Sequence, residues 1–403
     1  MAKAPGKLGP IRPRHSVLPP TSQAKNTRKF ITRIVGVLVS AAVVVAGFSA
    51  YSIANQLQGN GFQILDANGN AVSAPANLKG PINMLLVGSD TRAGQGGGFG
   101  TETSNLADVI ILLHVSADRK NAVAVSFPRD LLVPWPACPS TSGGPGYLPQ
   151  ALGQINATIA NGGPGCTLLT VETITGVTIP YLAMINFKGV IEMSNAIGGV
   201  EVCVANPIID EYTHTNLAAG RHVLQGKAAL QFLRTRHGVG DGSDLSRISN
   251  QQVFLKSLVR KVKSQGVLTN PIYLYSLASA AARNMTLSSN LTDLNTLVGL
   301  ASALKNVSLD KMTFVQVPAH GGLPAPYSGR VAPDEAAAAA LFALIRDDKP
   351  VLIENKPTDD STASPSPSAS ASAGSSGSPS PSASALDNNV YRGSNAEDSS
   401  CSN

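Results

Sequence analysis

The stretch DVIILLHVSADRKNAVAVSFPRD, residues 108–130, decides the fold. Two apolar runs, 108–115 and 122–127, flank the polar turn SADRKN. Short runs rich in Val, Ile and Leu on either side of such a turn read as two strands of an antiparallel hairpin. Both runs are apolar at nearly every position, as buried strands are. Pro128 then stops the second strand, and Arg129 and Asp130 set a cation beside an anion at its end. A surface ion pair is one reading of that pair. The same arrangement recurs at other element ends, and the repetition points to a site.

Working outward, INMLLVG at 82–88 is a further buried strand, and YLAMINF, VEVCV and KMTFVQV read as others. PGCTLLTVETITG opens with Pro and closes with Gly, which places a helix near 165–175. KGVIEMSNAIGG and GKAALQFLRTR read as helices, the second running into an extended end. SDLSRISNQQVFLKSLVRKVKSQG predicts a long helix over about 244–264, with Leu245, Ile248, Leu255, Leu258, Val259 and Val262 on one stripe. IYLYSLASAAARNM, LTDLNTLVGLASALKNV and PDEAAAAALFALI complete the helical segments. Strands and helices interleave throughout. The fold class is therefore α/β (α+β), a mixed central sheet flanked by helices behind one N-terminal transmembrane helix.

The formal charge of +6 invites a nucleic-acid partner, but its distribution excludes one. Residues 1–33 hold eight Lys or Arg and no acid, which leaves 23 bases against 25 acids in the rest. The basicity is a local tail, not a groove-sized patch. The uncharged run 34–54 follows, 21 residues long. That is enough to cross a hydrocarbon core of about 30 Å. Basic residues ahead of it predict a cytoplasmic N-terminus and an extracytoplasmic remainder. A cleaved signal peptide is the rival, but the apolar run is longer than a usual h-region. Domain boundaries follow: a basic tail 1–33, the span 34–54, a polar linker 55–80, a main domain 81–265, a helical continuation 266–350 and a disordered tail 351–403. From 361 to 385 every residue is Ser, Thr, Ala, Pro or Gly, a composition without core formers. Cys138, Cys166, Cys203 and Cys401 form no C-x-x-C, so disulfides fit an oxidising exterior better than a zinc knuckle. Three full pairings exist; Cys138 with Cys166 is expected, because both sit in Gly/Pro-rich turns of one region.

No P-loop, G-x-S-x-G elbow or H-E-x-x-H helix is present. Charged residues at element ends stand out instead. Asp90 and Arg92 follow the first strand, Asp108 opens the second, and Arg129 and Asp130 end the third. Arg234 and Arg236 share an i, i+2 spacing, and Asp244, Arg247 and Gln251 share one helical face. The last three are expected opposite the apolar stripe, with Arg247 pointing away from the core. Arginine forks suit phosphate oxygens. Carboxylates beside phosphate imply a hard divalent ion, Mg²⁺, with Mn²⁺ as the alternative. A diphosphate needs both, and the helix N-terminus at Asp244 adds partial positive charge.

LLVGSDTR, LADVIILLHV, AVSFPRD, INATIANGG, AIGGVEV, ALQFLRTRH and SDLSRISNQQ stand in the order seen in LytR-CpsA-Psr proteins. The resemblance covers roughly 82–265 closely, and the helices to about 348 look like the continuation in actinobacterial members. It implies an enzyme outside the cytoplasm that moves a glycan from a polyprenyl diphosphate carrier onto peptidoglycan. By position, Asp90 and Asp108 match the family's metal ligands. Arg92, Arg129, Arg234, Arg236 and Gln251 match its diphosphate-holding residues, and Asp130, Asp244 and Arg247 its remaining polar site residues. Arg129, Asp130, Asp244 and Arg247 are the expected catalytic set. Two positions depart from the pattern: Leu106 and Asn250 stand where many members have Arg. The expected reaction has a peptidoglycan sugar hydroxyl attack the phosphorus nearest the glycan, with Asp244 and Asp130 both candidates for the base. Helices within 165–200 and 250–306 would line a slot for the carrier lipid. The alternatives are a polyprenyl diphosphate hydrolase and a non-catalytic carrier-binding wall regulator.

Overall fold

The computed structural model describes residues 23–353, 386–387 and 390–402, apart from 60, 74–77, 93–94, 96–104, 141–144, 241, 243 and 265–269. Most of the basic tail and the low-complexity run 361–385 therefore lie outside the described residues. In chain order the elements are α1 (Gln23–Gly59), β1 (Gly61–Phe62), β2 (Ile82–Ser89), β3 (Ala107–Val115), β4 (Ala122–Phe127), β5 (Leu132–Trp135), β6 (Gln150–Gln154), α2 (Gly163–Thr175), β7 (Tyr181–Ile185), α3 (Phe187–Ala196) and β8 (Val200–Val204). There follow β9 (Ile208–Asp210), β10 (Thr215–Leu217), β11 (Gly220–Leu224), α4 (Lys227–Arg234), α5 (Asp244–Ser264), α6 (Pro271–Asn284), β12 (Met285–Ser288), α7 (Leu294–Asn306), β13 (Met312–Gln316), β14 (Ala319–His320), β15 (Ala332–Pro333), α8 (Glu335–Arg346) and β16 (Gly393–Asn395).

The chain divides into two units, Met1–Ser52 and Ile53–Asn403. In the first, α1 carries the apolar run, and Val35, Val37, Val44 and Phe48 are exposed. Among the described residues no helix is long and apolar enough to cross a membrane. The side chains at 38, 41–43, 45, 46 and 50 lie outside the description.

The second unit is built on one mixed sheet of order β1-β12-β7-β2-β3-β4-β13-β16. The β3–β4 hairpin forms in register from Ile110–Phe127 to Val115–Ala122. β2 pairs antiparallel with β3, while β2–β7 and β4–β13 are parallel. Alternate residues of the central strands feed two cores. Leu85, Val87, Ile110, Leu112 and Val125 pack with α2 and α8 on one face. Ile111, Ala124, Ala183 and Phe314 pack with α6 and α7 on the other. Cover on both faces explains why these strands read as unbroken apolar runs. A third core joins β8 and β11 to α4 and α5. Helix ends follow local chemistry: Asn186 caps α3 by accepting the Gly189 N–H at 2.9 Å, and Gly176 ends α2 at φ 66°, where a Cβ would strain.

Three expected boundaries do not hold. The segment 55–80 is no mere linker: Leu57 and Ile64 are core residues, and β1 pairs with β12. Its Gly/Asn content masked these few apolar anchors. In the continuation 266–350, β13 forms where KMTFVQV predicts a strand, but the expected helix IYLYSLASAAARNM gives way at Met285 to a further strand, β12; both join the central sheet. The third concerns the tail 351–403, whose end folds. β16 adds to β13, Ala396 is fully buried, and Cys401 is disulfide-bonded to Cys203. Lys256 of α5 donates to Ser394 and Asp398, both at 2.8 Å. Cys138 pairs with Cys166, as expected.

Candidate functional site

Antiparallel pairing places the C-terminal ends of β2 and β4 beside the N-terminal end of β3. A register shift between Gly88 and Ser89 marks this corner. Asp90, just past β2, accepts the Leu106 N–H on Oδ1 at 2.6 Å, and its own N–H donates to the Leu106 carbonyl at 3.0 Å. Asp108 stands at the start of β3. Arg129 and Asp130 leave β4 after Pro128.

Helix α5 brings its first turn to the same corner. Asp244 Oδ2 accepts the backbone N–H of Arg129 at 3.0 Å. The Arg129 guanidinium donates through Nη1 to Asp108 Oδ1 at 2.8 Å. Its Nε lies 3.6 Å from Asp130 Oδ2 and 3.7 Å from Asp244 Oδ1. Arg247, one turn along α5, pairs through Nη2 with Asp244 Oδ1 at 2.5 Å and donates to the Asp108 backbone carbonyl at 3.0 Å. Asp244 and Arg247 side chains are each 5% exposed, whereas Arg129 is 24% exposed. Arg247 is nevertheless buried, not exposed to solvent. It points away from the apolar stripe into a buried ion cluster, because its charge is matched there.

Asp108, Arg129, Asp130, Asp244 and Arg247 thus form one network. Two members escaped the sequence reading. Gln154 Nε2 donates to Asp130 Oδ1 at 2.8 Å, and Arg330 Nη1 lies 3.2 Å from the same oxygen. Arg330 sits 200 residues from Asp130 in a Gly/Pro-rich loop, and no local pattern marks it.

The other candidates are placed differently. Arg234 lies over the Phe187 ring at 4.4 Å. Arg236 donates from Nε to the Gly242 carbonyl at 2.9 Å, bracing the loop that leads into α5. Gln251 Nε2 donates to the Leu233 carbonyl at 3.2 Å, tying α4 to α5. The i, i+2 reading of Arg234 and Arg236 fails because Arg234 ends a helix, so the pair does not share an extended face. Arg92, two residues past Asp90, is half-buried.

Burial pushes the Asp244 carboxyl above its ordinary range, against the pull of Arg247 and with help from Asp130. Burial also lowers the Arg247 guanidinium, though it stays charged. For Arg129, burial is outweighed by Asp108, Asp130 and Asp244, and its value rises.

Three buried donors in this corner have no hydrogen-bond acceptor: Arg129 Nε, Arg247 Nε and Asn250 Nδ2, the last one turn on from Arg247. Buried unsatisfied donors are costly and rare in folded proteins. Asp244 Oδ1 in the same corner also lacks a hydrogen-bond partner, so the unsatisfied set is three N–H groups and one carboxylate oxygen; the N–H groups can take an anionic oxygen. Among the described residues, no group of three or more His, Cys, Asp or Glu is gathered to cage a metal. Asp90 and Asp108 offer hard oxygens on adjacent strand ends, but Asp108 Oδ1 already serves Arg129. This donor set fits Mg²⁺ only when phosphate oxygens and waters supply the remaining ligands. The apolar residues expected to line a lipid slot are largely core, among them Leu168 and Val171 on one side of the sheet and Leu300 and Ala303 on the other.

The model of the LytR_cpsA_psr family matches residues 49–337. The cell wall biosynthesis protein LcpA of Corynebacterium glutamicum is 28% identical over 334 residues, 76% of this chain and 63% of that protein. The chain thus spans less than two thirds of that relative. The polyisoprenyl-teichoic acid–peptidoglycan teichoic acid transferase TagT of Bacillus subtilis is 28% identical over 243 residues, 58% of this chain and 68% of that protein. A LytR-Csp2A-Psr enzyme from Actinomyces oris superposes with a TM-score of 0.50 at 25% identity, covering 68% of this chain and 96% of that one.

Proposed function

The chain belongs to the LytR-CpsA-Psr family, and from that premise we propose that it is a membrane-anchored glycopolymer transferase acting outside the cytoplasm. Its donor is a glycan on a polyprenyl diphosphate, and its acceptor is a peptidoglycan sugar hydroxyl. The observation that carries this reading is the trio of buried donors on Arg129, Arg247 and Asn250 without acceptors. Within the network, Asp108, Asp130 and Asp244 balance Arg129, Arg247 and Arg330 in charge. A diphosphate therefore needs further positive charge, which Arg92, Arg234, Arg236 and a divalent ion on Asp90 and Asp108 would add. When bound, Mg²⁺ would neutralise phosphate charge.

Arg129 and Arg247 hold the diphosphate oxygens through their forks and stabilise the charge that builds as the bridging bond breaks. The acceptor oxygen bonds to the phosphorus nearest the glycan, and polyprenyl phosphate departs with the bridging oxygen. Asp244, raised by burial, takes the hydroxyl proton. Asp130 orients Arg129 and Arg330. The run 34–54 of α1 anchors the chain in the membrane with its N-terminus in the cytoplasm.

The test incubates the full chain in detergent with a lipid-linked glycan, Mg²⁺ and nascent peptidoglycan. Glycan phosphate attached to the wall is the expected product. Glycan phosphate released to water instead would make the protein a hydrolase. Carrier bound but never consumed would make it a non-catalytic wall regulator.

A further inference from the structure

The Asp130 carboxylate is held by side chains from two other elements. Its Oδ1 accepts the Gln154 Nε2 donor at 2.8 Å and the Arg330 Nη1 donor at 3.2 Å. A carboxylate oxygen offers about two lone-pair sites, so Oδ1 is filled. With Oδ1 fixed, Oδ2 faces Arg129 Nε at 3.6 Å, too long for a hydrogen bond but close for opposite charges. The Asp130 side chain is 8% exposed, so water does little to hold it.

Both donors are placed by main-chain bonds that flank Asp130. Gln154 ends β6 opposite Leu132 of β5, and Ile155 donates its N–H to the Leu131 carbonyl at 2.9 Å. Arg330 arrives from the loop closed by β14 and β15. Its own N–H donates to the Tyr327 carbonyl at 3.0 Å. The Val331 N–H donates to the Asp130 carbonyl at 3.2 Å, and the Leu132 N–H donates to the Val331 carbonyl at 2.9 Å. Arg330 is thus pinned beside its partner, although its side chain is 41% exposed. An ion pair between two exposed groups contributes little. Here the acceptor is buried, and loss of the donor leaves a buried charge short of a partner.

We propose that Gln154 and Arg330 are positioning residues: they fix the Asp130 carboxylate, which in turn aims the Arg129 guanidinium at an anionic ligand. This role rests on the transferase reading above only in that Arg129 must meet a diphosphate. Arg129 is where such aim matters. Its Nη1 is committed to Asp108 at 2.8 Å, and its Nε is buried without an acceptor. A tilt of the fork would spoil the line from Nε to a phosphate oxygen, and hydrogen bonds weaken steeply off line. Arg330 meets Asp130 through a single nitrogen, so a point charge suffices there, unlike at Arg129, whose fork is needed.

The experiment measures binding of farnesyl diphosphate with Mg²⁺ to the full chain in detergent by calorimetry, beside transfer rates on a lipid-linked glycan. Melting temperatures first establish which variants fold, and either positioning variant alone can carry the test. Arg330→Met and Gln154→Leu are expected to weaken diphosphate binding by about tenfold, as loss of a partner that orients a binding group does. Arg330→Lys should recover most of that loss. A double-mutant cycle then separates a positioning role from a direct one. In an Asp130→Ala background, Arg330→Met or Gln154→Leu should change binding by less than about twofold, because the carboxylate they act through is gone. A full loss in that background would mean that these side chains touch the ligand themselves, and would overturn the inference. Wild-type affinity in the single variants, or a Lys variant as weak as Met, would overturn it too. Wild-type protein that does not bind farnesyl diphosphate would remove the anion site and the inference with it. Wild-type protein that binds the diphosphate but transfers no glycan would sink the transferase reading, and the binding cycle would still decide the positioning role.

Discussion

Arg129 and Asp244 are joined through the main chain: the Arg129 N–H donates to Asp244 Oδ2 at 3.0 Å across 115 residues of sequence. This bond fixes the end of β4 to the start of α5 whatever side chain stands at 129. The guanidinium is then free to serve Asp108 and a ligand.

Arg129→Ala should therefore separate stability from activity. The backbone link survives, and Arg247 still lies 3.8 Å from Asp108. The loss of stability should be about 1–3 kcal/mol, the cost of leaving a partly buried carboxylate short of a partner. Turnover should fall by about 10²–10³, the usual effect of removing one donor to a developing negative charge. Arg129→Lys keeps the charge but not the fork, and should recover stability better than turnover. Thermal melts and steady-state rates on the same preparations test this.

Asp244 must be ionised to accept a proton, and burial raises its carboxyl. Activity should climb as pH rises through that raised value, and the acid limb of kcat should sit above the ordinary carboxylate range. Asp244→Asn should remove this limb and lower kcat by about 10²–10⁴. The linkage runs the other way for stability. The folded state holds this proton more tightly than the unfolded chain, so stability falls as pH rises from the unfolded value through the folded one. Denaturant titrations across that window should show a flatter slope for the Asn variant.

Divalent ion binding should depend on the diphosphate. Asp90 and Asp108 are only two carboxylates, and one oxygen already serves Arg129. Calorimetry with Mg²⁺ alone should show weak binding, tightened when a polyprenyl diphosphate analogue is present. Asp90→Asn should abolish the tightening but leave the fold intact. Strong binding of Mg²⁺ without the analogue would contradict this account.

The C-terminal segment should loosen in acid. The Asp398 carboxyl is held well below its usual range: burial alone would raise it, but the Lys256 ammonium and the backbone N–H of Ser400 win. A depressed carboxyl contributes stability above its unfolded value, and that contribution is lost as pH falls toward the folded one. Hydrogen exchange at 393–402 should accelerate below about pH 4, where an unperturbed carboxylate takes up its proton. Asp398→Asn should exchange faster at neutral pH and respond less to acid. Cys401→Ser should cost about 2–5 kcal/mol, as loss of a native disulfide does.

Period and punctuation made most of the fold legible. The β3–β4 hairpin, the Pro- and Gly-bounded α2 and the long α5 all follow from local pattern, because each buries a face its own residues specify. β16 was hidden for the opposite reason. It is a three-residue strand behind a low-complexity run, and it is held by partners far away in sequence, Phe314, Lys256 and Cys203. The site divides in the same way. Asp108, Arg129 and Asp130 were visible because strand ends rarely spend two charges without reason. Gln154 and Arg330 were not, since an amide and a loop arginine carry no spacing signal. Arg234 and Arg236 do not share a face, because a two-residue spacing aligns side chains only in extended chain and a helix ends at Arg234.

Ile353 and Leu386 lie side by side in a parallel bridge, so the two ends of the intervening run meet at one place. The Cys203–Cys401 bond then closes the far end. Proteolysis anywhere within 354–385 would thus convert the molecule into two polypeptides that migrate as one until thiol is added. A nicked population would keep its edge strand and would look intact on a non-reducing gel.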